Sequence, residues 1–337
     1  MSIIPVVPPP AIFEPEDCDR IQTAFLRDGF VVIRALDQAA CDAAIKEQVK
    51  EILLQQPWER QLEVRDPRSG ALLDIDRDTP AYLASLTAPR QPRAVLAQWE
   101  EAWPFHAGFG AACDPTAFHL RKVWKLRQDP RLYNVARRLT GRKRLWVDVN
   151  RAIQKKPGKG EDEFLHWDTS PWGATWGDET IEALHGKACF TRSSLVCVPG
   201  TASEDFRADF VKAYGPHYPN ARPGAAKFGL DPSKPDPLHL LQRRVAIDIP
   251  AGCVVFWNRN LLHGVRRKGL DEAIEFGAYL GFMPAVDRPE YRRLAGVSEL
   301  EDRVASYREG RAPILWPSLD RIYYFPKRYL NLSLIHI

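Results

Sequence analysis

Two histidines and one aspartate are spaced as a set of metal donors would be. The segment EDEFLHWDTSPWG contains His166-Trp167-Asp168. On an extended strand, side chains i and i+2 point to the same side, so an imidazole and a carboxylate converge on one point. NRNLLHGVRRK supplies a further imidazole, His263, 97 positions after His166 and directly behind an apolar run and a tight turn. Two imidazoles and one carboxylate on one face of a metal leave three positions open, the arrangement expected of non-haem Fe(II) oxygenases. An isolated HxD triplet is most often a surface histidine beside a turn aspartate. Here the triplet follows Phe164-Leu165 and its partner follows IPAGCVVFWN, which favours a metal site built from His166, Asp168 and His263. His106, His119, His185, His217 and His239 have no carboxylate two residues away and read as structural or surface imidazoles.

Around the triplet, Trp167, Trp172 and Trp176 crowd one loop. They are candidates for the wall of a substrate pocket, since such walls are mostly apolar and aromatic. Packing of a long loop onto the fold explains them equally well. Thr169 and Ser170 are candidates to orient the Asp168 carboxylate.

The elements that must position these groups fall into two textures. Residues 15–28 have Ile21, Phe25 and Leu26 on one helical face with acidic residues in the first turn, and Gly29 ends the helix. FVVIRAL (30–36) reads as a strand, and Asp37 caps a second helix over about 38–55, closed by Pro57. Residues 57–92 carry five prolines and read as irregular covering structure; 94–103 and 129–140 read as helices, the latter ended by Gly141. From about residue 144 the texture changes to β-branched and aromatic runs: 145–149, 189–198, 244–249, 253–257 and 273–282. Their spacing lacks βαβ character and predicts an antiparallel barrel or sandwich. A polar stretch, about 201–243, interrupts them and is expected to hold loops and short helices. No internal repeat is visible.

Composition limits the alternatives. The chain has 337 residues, 45% hydrophobic and 27% charged, with a formal charge of +4. That is the balance of a globular domain, long enough for one large core. No run of eighteen apolar residues occurs, so no membrane span is expected. The first residues, with three consecutive prolines and no basic flank, read as an extended arm and not as a secretory signal. Six scattered cysteines without a CxxC pair suggest reduced thiols and a cytoplasmic setting. The short basic clusters at Arg137-Arg138, Arg142-Lys143-Arg144 and Arg266-Arg267-Lys268 read as solvated element ends, so no nucleic-acid partner is expected. The last six residues, LSLIHI (332–337), resemble the translation of a sequencing-library adapter. They are expected to be an artefact, with the natural chain continuing past about residue 331.

Three stretches carry a family resemblance. FLRDGFVVIRAL, FLHWDTSPWG, and VCVPGTASEDF followed by IPAGCVVFWNRNLLHGV resemble the opening, metal-binding triplet and distal-histidine strands of the phytanoyl-CoA dioxygenase-like family, within the Fe(II)/2-oxoglutarate oxygenases. The likeness spans roughly residues 16 to 282. It implies a mainly β fold with flanking helices: a double-stranded β-helix (jelly-roll, cupin-like) barrel with an N-terminal helical region. The expected layout is a single oxygenase domain over 1–331, with a helical flank at about 15–140, a barrel core at about 144–285 and a C-terminal extension at 286–331. The resemblance further implies Fe(II) on His166, Asp168 and His263, with 2-oxoglutarate as cosubstrate and O2 as oxidant.

One departure stands out. Relatives place an arginine about ten positions after the distal histidine, to pair with the far carboxylate of 2-oxoglutarate. Here those positions are Ala273, Ile274 and Glu275. A carboxylate of this kind needs a fixed cation, ideally a bidentate guanidinium. By strand parity Arg267 faces the same way as His263, roughly 13 Å further along the strand, and is the first candidate; Arg192 on CFTRSSLVCV is the second.

The reading is therefore an Fe(II)/2-oxoglutarate-dependent dioxygenase that hydroxylates a small or medium organic substrate. One rival is a non-catalytic barrel that has lost 2-oxoglutarate binding, which the missing arginine supports. Another is a cupin-type metal-dependent isomerase. It normally needs a further His or Glu ligand, and no HxH pair is present.

Overall fold

The computed structural model describes residues 4–54, 120–147, 152–155, 165–172, 184–221, 228–264, 274–285 and 289–309, with the single residues 71, 266 and 314. The expected helix at 94–103, the covering segment at 57–92 apart from Ala71, Trp176, Arg267 and the 332–337 tail lie outside them.

Among the described residues of the first half, several expected elements form, although Leu26, expected on the apolar face of the first helix, is exposed. Helix α1 (Cys18–Asp28) ends at Gly29, which takes the left-handed φ of 81° and returns its N–H to the Phe25 carbonyl. Its apolar face, Ile21, Ala24 and Phe25, is buried. Strand β3 (Phe30–Arg34) follows, and Asp37 Oδ1 then accepts from the Ala40 N–H at 2.8 Å at the start of α2 (Gln38–Leu54). Helix α3 (Arg121–Arg127) was not foreseen. It runs into α4 (Pro130–Thr140), capped by Asp129 and ended by Gly141 at φ 68°.

The remaining strands are β1 (Val6–Val7), β2 (Ile12–Phe13), β4 (Leu145–Val147), β5 (Ala152–Lys155), β6 (His166–Trp167), β7 (Leu184–Cys189) and β8 (Ser193–Cys197). They continue with β9 (Phe228–Gly229), β10 (Val245–Ile249), β11 (Cys253–Asn258), β12 (His263–Gly264), β13 (Glu275–Tyr279) and β14 (Phe282–Pro284). They form two mixed sheets. One runs β1-β10-β8-β12-β6-β9; the other runs β2-β3-β11-β7-β13-β5, with β14 and β4 attached. Within both, the central pairings are antiparallel.

Two expected strands are each divided. Residues 189–198 split into the end of β7 and all of β8, because Phe190 and Thr191 turn the chain: both N–H groups reach the Phe276 carbonyl, and Thr191 Oγ1 accepts the Phe276 N–H at 2.9 Å. Residues 273–282 split likewise into β13 and β14.

Three apolar layers follow from strand parity. One side of the larger sheet (Ala188, Val254, Phe256, Phe276, Ala278) packs on α1, α2, α3 and α4. Its other side (Val32, Cys189, Val255, Trp257) meets Leu195, Cys197, Ile247 and Ile249 of the smaller sheet. The outer side of the smaller sheet (Trp167, Val196, Ala246) is covered by Phe210 and Tyr214 of α5 (Glu204–Tyr214). The middle layer, between the sheets, is where the candidate site lies.

The described residues of 201–243 hold turns and helices, as expected, and one short strand. Ser203 caps α5 by accepting from the Phe206 N–H at 3.2 Å, and β9 pairs with the triplet strand β6. Short helix α6 (Leu240–Arg243) closes it; helices α7 (Pro289–Ala295) and α8 (Glu299–Glu309) follow the last strand.

Candidate metal centre

The three expected donors meet. His263 pairs across the sheet with His166, so the two imidazoles stand side by side with ring centroids 4.4 Å apart. Asp168 lies just past β6, in a bend, with Oδ1 at 3.6 Å from His166 Nε2 and Oδ2 at 3.4 Å from His263 Nε2. Ligand atoms bound at about 2.1 Å to one metal lie about 3 Å apart at right angles. The observed spacing is somewhat wider than this, and the three groups could close on one ion from one side. All three donor atoms lie within 4.8 Å of one another, the arrangement found for His166, Asp168 and His263 among the described residues.

The local chain explains this convergence. His166 and Asp168 turn to the middle layer, while Trp167 between them points the opposite way and is completely buried against Phe210 and Phe228. Burying a side chain of that size stabilises the strand by roughly 2–3 kcal/mol and locks its parity, hence the direction of both donors. Backbone bonds fix the bend: the Asp168 N–H reaches the Arg259 carbonyl at 3.4 Å, and Arg259 Nη2 donates to the Asp168 carbonyl at 3.2 Å.

His263 is held with equal care. Its Nδ1 lies 2.9 Å from the Leu261 carbonyl. A carbonyl only accepts, so Nδ1 carries the proton and Nε2 keeps its lone pair facing Asp168 and His166. Thr201 grips the preceding residue: its Oγ1 accepts from the Leu262 N–H at 3.0 Å and donates to the Val198 carbonyl at 2.7 Å. Cys197 is the next residue across from His263. Burial pushes its thiol pKa far up, which disfavours the thiolate form.

The other expected site residues are placed differently. Trp167 belongs to the outer aromatic layer, as described. Trp172 packs on Phe210, Tyr218 and Phe228 in that same layer. Neither side chain faces the donors; both follow the packing alternative. Arg192 does not face the donors either: its side chain is 76% exposed and its Nε donates to Asp248 at 2.7 Å on the outer side of β10. Ser193, one residue on, takes the inward position instead. Thr169 and Ser170 are buried, and Ser170 Oγ accepts from the Trp172 N–H at 3.4 Å.

Two inward side chains on β7 were missed. His185, read as a structural or surface imidazole, brings Nδ1 to 3.3 Å from Asp168 Oδ2. Lys187, two residues on, is largely buried on the same side, with its side chain 12% exposed. Its Nζ donates to Ser193 Oγ at 2.7 Å, to the Ser194 carbonyl at 2.9 Å and to Glu275 Oε1 at 3.2 Å. Ser193 Oγ also donates to Glu275 Oε1. Burial alone would lower the Lys187 pKa, but the Glu275 carboxylate, together with Cys189 and Tyr279, holds it above the ordinary lysine value. The only signal for either residue was their shared parity within LHGKAC.

No protein-family model and no curated protein matches the chain. Among solved structures, it is similar to SnoN, the non-heme alpha ketoglutarate dependent epimerase of nogalamycin biosynthesis, with a TM-score of 0.46 and 16% identity over 90% of this chain and 95% of that one. It is similar to HygX from Streptomyces hygroscopicus, solved with nickel and 2-oxoglutarate, with a TM-score of 0.45 and 13% identity over 79% and 87% of the two chains. It is also similar to EctD from S. alaskensis with bound Fe, with a TM-score of 0.40 and 18% identity over 79% and 76%.

Proposed function

We propose that the chain is a non-haem Fe(II)- and 2-oxoglutarate-dependent oxygenase of the double-stranded β-helix type, acting as a hydroxylase on a small or medium organic substrate. The convergence of His166, Asp168 and His263 carries this reading. The order β5-β13-β7-β11 facing β6-β12-β8-β10 supports the fold, and the sequence resemblance to phytanoyl-CoA dioxygenase-like enzymes supports the chemistry.

The donor set fits Fe(II): two neutral imidazole nitrogens and one carboxylate on one face, with the opposite face left to a chelating cosubstrate and dioxygen. When bound, iron and 2-oxoglutarate would let dioxygen act as the four-electron oxidant, two electrons coming from the oxo acid, which leaves as succinate and carbon dioxide, and two from the organic substrate. The chain's own residues do the rest. The Leu261 carbonyl holds His263 in the metal-binding tautomer, and Arg259 and Trp167 hold Asp168 and His166 in register.

One observation bears on each rival. Glu275 at a position where relatives carry an arginine favours a barrel that binds metal without 2-oxoglutarate. His185 gives the isomerase reading a further imidazole, but it falls outside the group of donors within 4.8 Å of one another. Anaerobic titration with Fe(II) and then 2-oxoglutarate tests the proposal. A visible metal-to-ligand charge-transfer band is expected, with succinate formed on admitting air. Neither signal appearing would exclude the oxygenase reading, and iron binding without the band selects the binding-module rival.

A further inference from the structure

We infer that Lys187, with Ser193, is the seat for the far carboxylate of the 2-oxo acid, and that Glu275 is a carboxylate of the chain's own that the incoming one displaces. This rests on the oxygenase reading above and names the residues that would give it specificity for a dicarboxylate.

The direction is right. His185, Lys187 and Cys189 share one side of β7, facing the middle layer; His185 touches Asp168, so the metal lies at that end of the strand. On the facing sheet, Cys197 pairs with His263 at the metal end of β8, and Ser193 stands four residues away, roughly 13 Å along the strand. The Lys187 ammonium is bonded to Ser193, so it marks the deep end. A five-carbon oxo diacid spans about 5 Å between its carboxyl carbons at ordinary bond lengths. With a metal–ligand bond at one end and a hydrogen bond at the other, it is commensurate with that depth.

The chemistry is right as well. The ammonium already binds a carboxylate, that of Glu275, and Ser193 donates to the same oxygen. Lysine and serine hydroxyl thus converge on one carboxylate oxygen inside the protein, the geometry a ligand carboxylate would require. All three Lys187 donors are engaged, so a ligand binds there only in exchange for Glu275. Charge is thereby inverted relative to the family pattern: the strand that carries the arginine in relatives carries a glutamate here, and the cation comes from the neighbouring strand β7.

Calorimetric binding to Ni(II)-loaded protein tests this without any turnover. The probes are 2-oxoglutarate and 2-oxobutyrate, which lacks the second carboxylate. Wild type should prefer 2-oxoglutarate by about tenfold or more. Glu275→Gln should tighten 2-oxoglutarate severalfold and leave 2-oxobutyrate unchanged, because a competitor for the same ammonium is gone. The double variant Lys187→Met/Glu275→Gln leaves no lone buried charge and should lose the preference while keeping Ni(II) affinity. If it does not fold, Ser193→Ala replaces it and should weaken 2-oxoglutarate alone. A preference that survives in the double variant, or none in wild type, overturns the assignment. Failure of wild type to bind Ni(II) would instead sink the oxygenase reading, and this inference with it.

Discussion

His185 Nδ1 stands 3.3 Å from Asp168 Oδ2, so the carboxylate at the centre of the triad is approached by three imidazoles and not two. A proton on that nitrogen ties down one carboxylate oxygen and steadies the direction of the other. Outer partners of this kind typically set metal affinity by 10- to 100-fold. We expect His185→Phe to weaken Ni(II) or Fe(II) binding by about that factor and to shift the d–d spectrum of the Co(II) form. His185→Gln, which keeps a donor, should recover most of both. Unchanged affinity and spectrum in His185→Phe would remove His185 from the site.

The donors themselves should behave as a set. His166→Ala, Asp168→Ala and His263→Ala should each lower metal affinity by about 100-fold or more, a larger loss than removing an outer partner, while far-ultraviolet circular dichroism stays native. Equilibrium dialysis with Fe(II) under argon reads this directly. Retention of one tightly bound ion in any of the three would show that the ion sits elsewhere.

Thr201 ties the chain before His263 to the end of β8, being completely buried and bonded to both Leu262 and Val198. Thr201→Val preserves volume but strands the Leu262 N–H, at a cost of about 1–3 kcal/mol. It should lower the urea midpoint and weaken metal binding together; Thr201→Ser should restore both. Loss of stability with unaltered metal affinity would confine Thr201 to the fold.

Much of this site was legible before any coordinates. The donors were readable because a strand of period two and a turn after a strong strand fix where His166, Asp168 and His263 point. His185 and Lys187 were not, because pattern reading treats inward positions as apolar and LHGKAC places a histidine and a lysine there. Their stabilising partners, Asp168 and Glu275, lie 17 and 88 residues away, beyond any local signal. The strand break at Phe190–Thr191 was hidden for a similar reason: it depends on a bond to Phe276 from a distant strand. Helix α3 lacked a capping residue, since Leu120 stands at its N-cap and the side chain accepting from its first N–H groups is Glu47 of α2.

The buried Lys187–Glu275 pair also predicts a pH response. Folding raises the Lys187 pKa above its ordinary 10.5, so its contribution is complete below that value and fades as pH climbs through the higher folded-state value. The stability gap between wild type and the Lys187→Met/Glu275→Gln variant should therefore stay level from about pH 7 to 9 and change only at strongly alkaline pH. A gap that already varies near neutrality would mean that another group titrates with the pair.

Gly252 holds the turn into β11 with φ at 82°, its N–H on the Cys189 carbonyl and its carbonyl receiving Ala35 and Leu36. A Cβ there would sit 2.4 Å from the Leu36 carbonyl oxygen. Gly252→Ala should cost at least about 2 kcal/mol, from the unfavourable φ and the clash combined, seen as a lowered thermal midpoint. A neutral outcome would mean that the turn relaxes into another conformation.

Gly229, His166, His263 and Cys197 stand abreast on four neighbouring strands. A slip of one residue anywhere in that row would swing an imidazole to the opposite side of its sheet, so the rungs tolerate no gradual drift. The same holds for β7 and β11 in the facing sheet, whose register sets where His185 and Lys187 point, so a change of length is neutral for the site only in the turns that leave every rung opposite its partner.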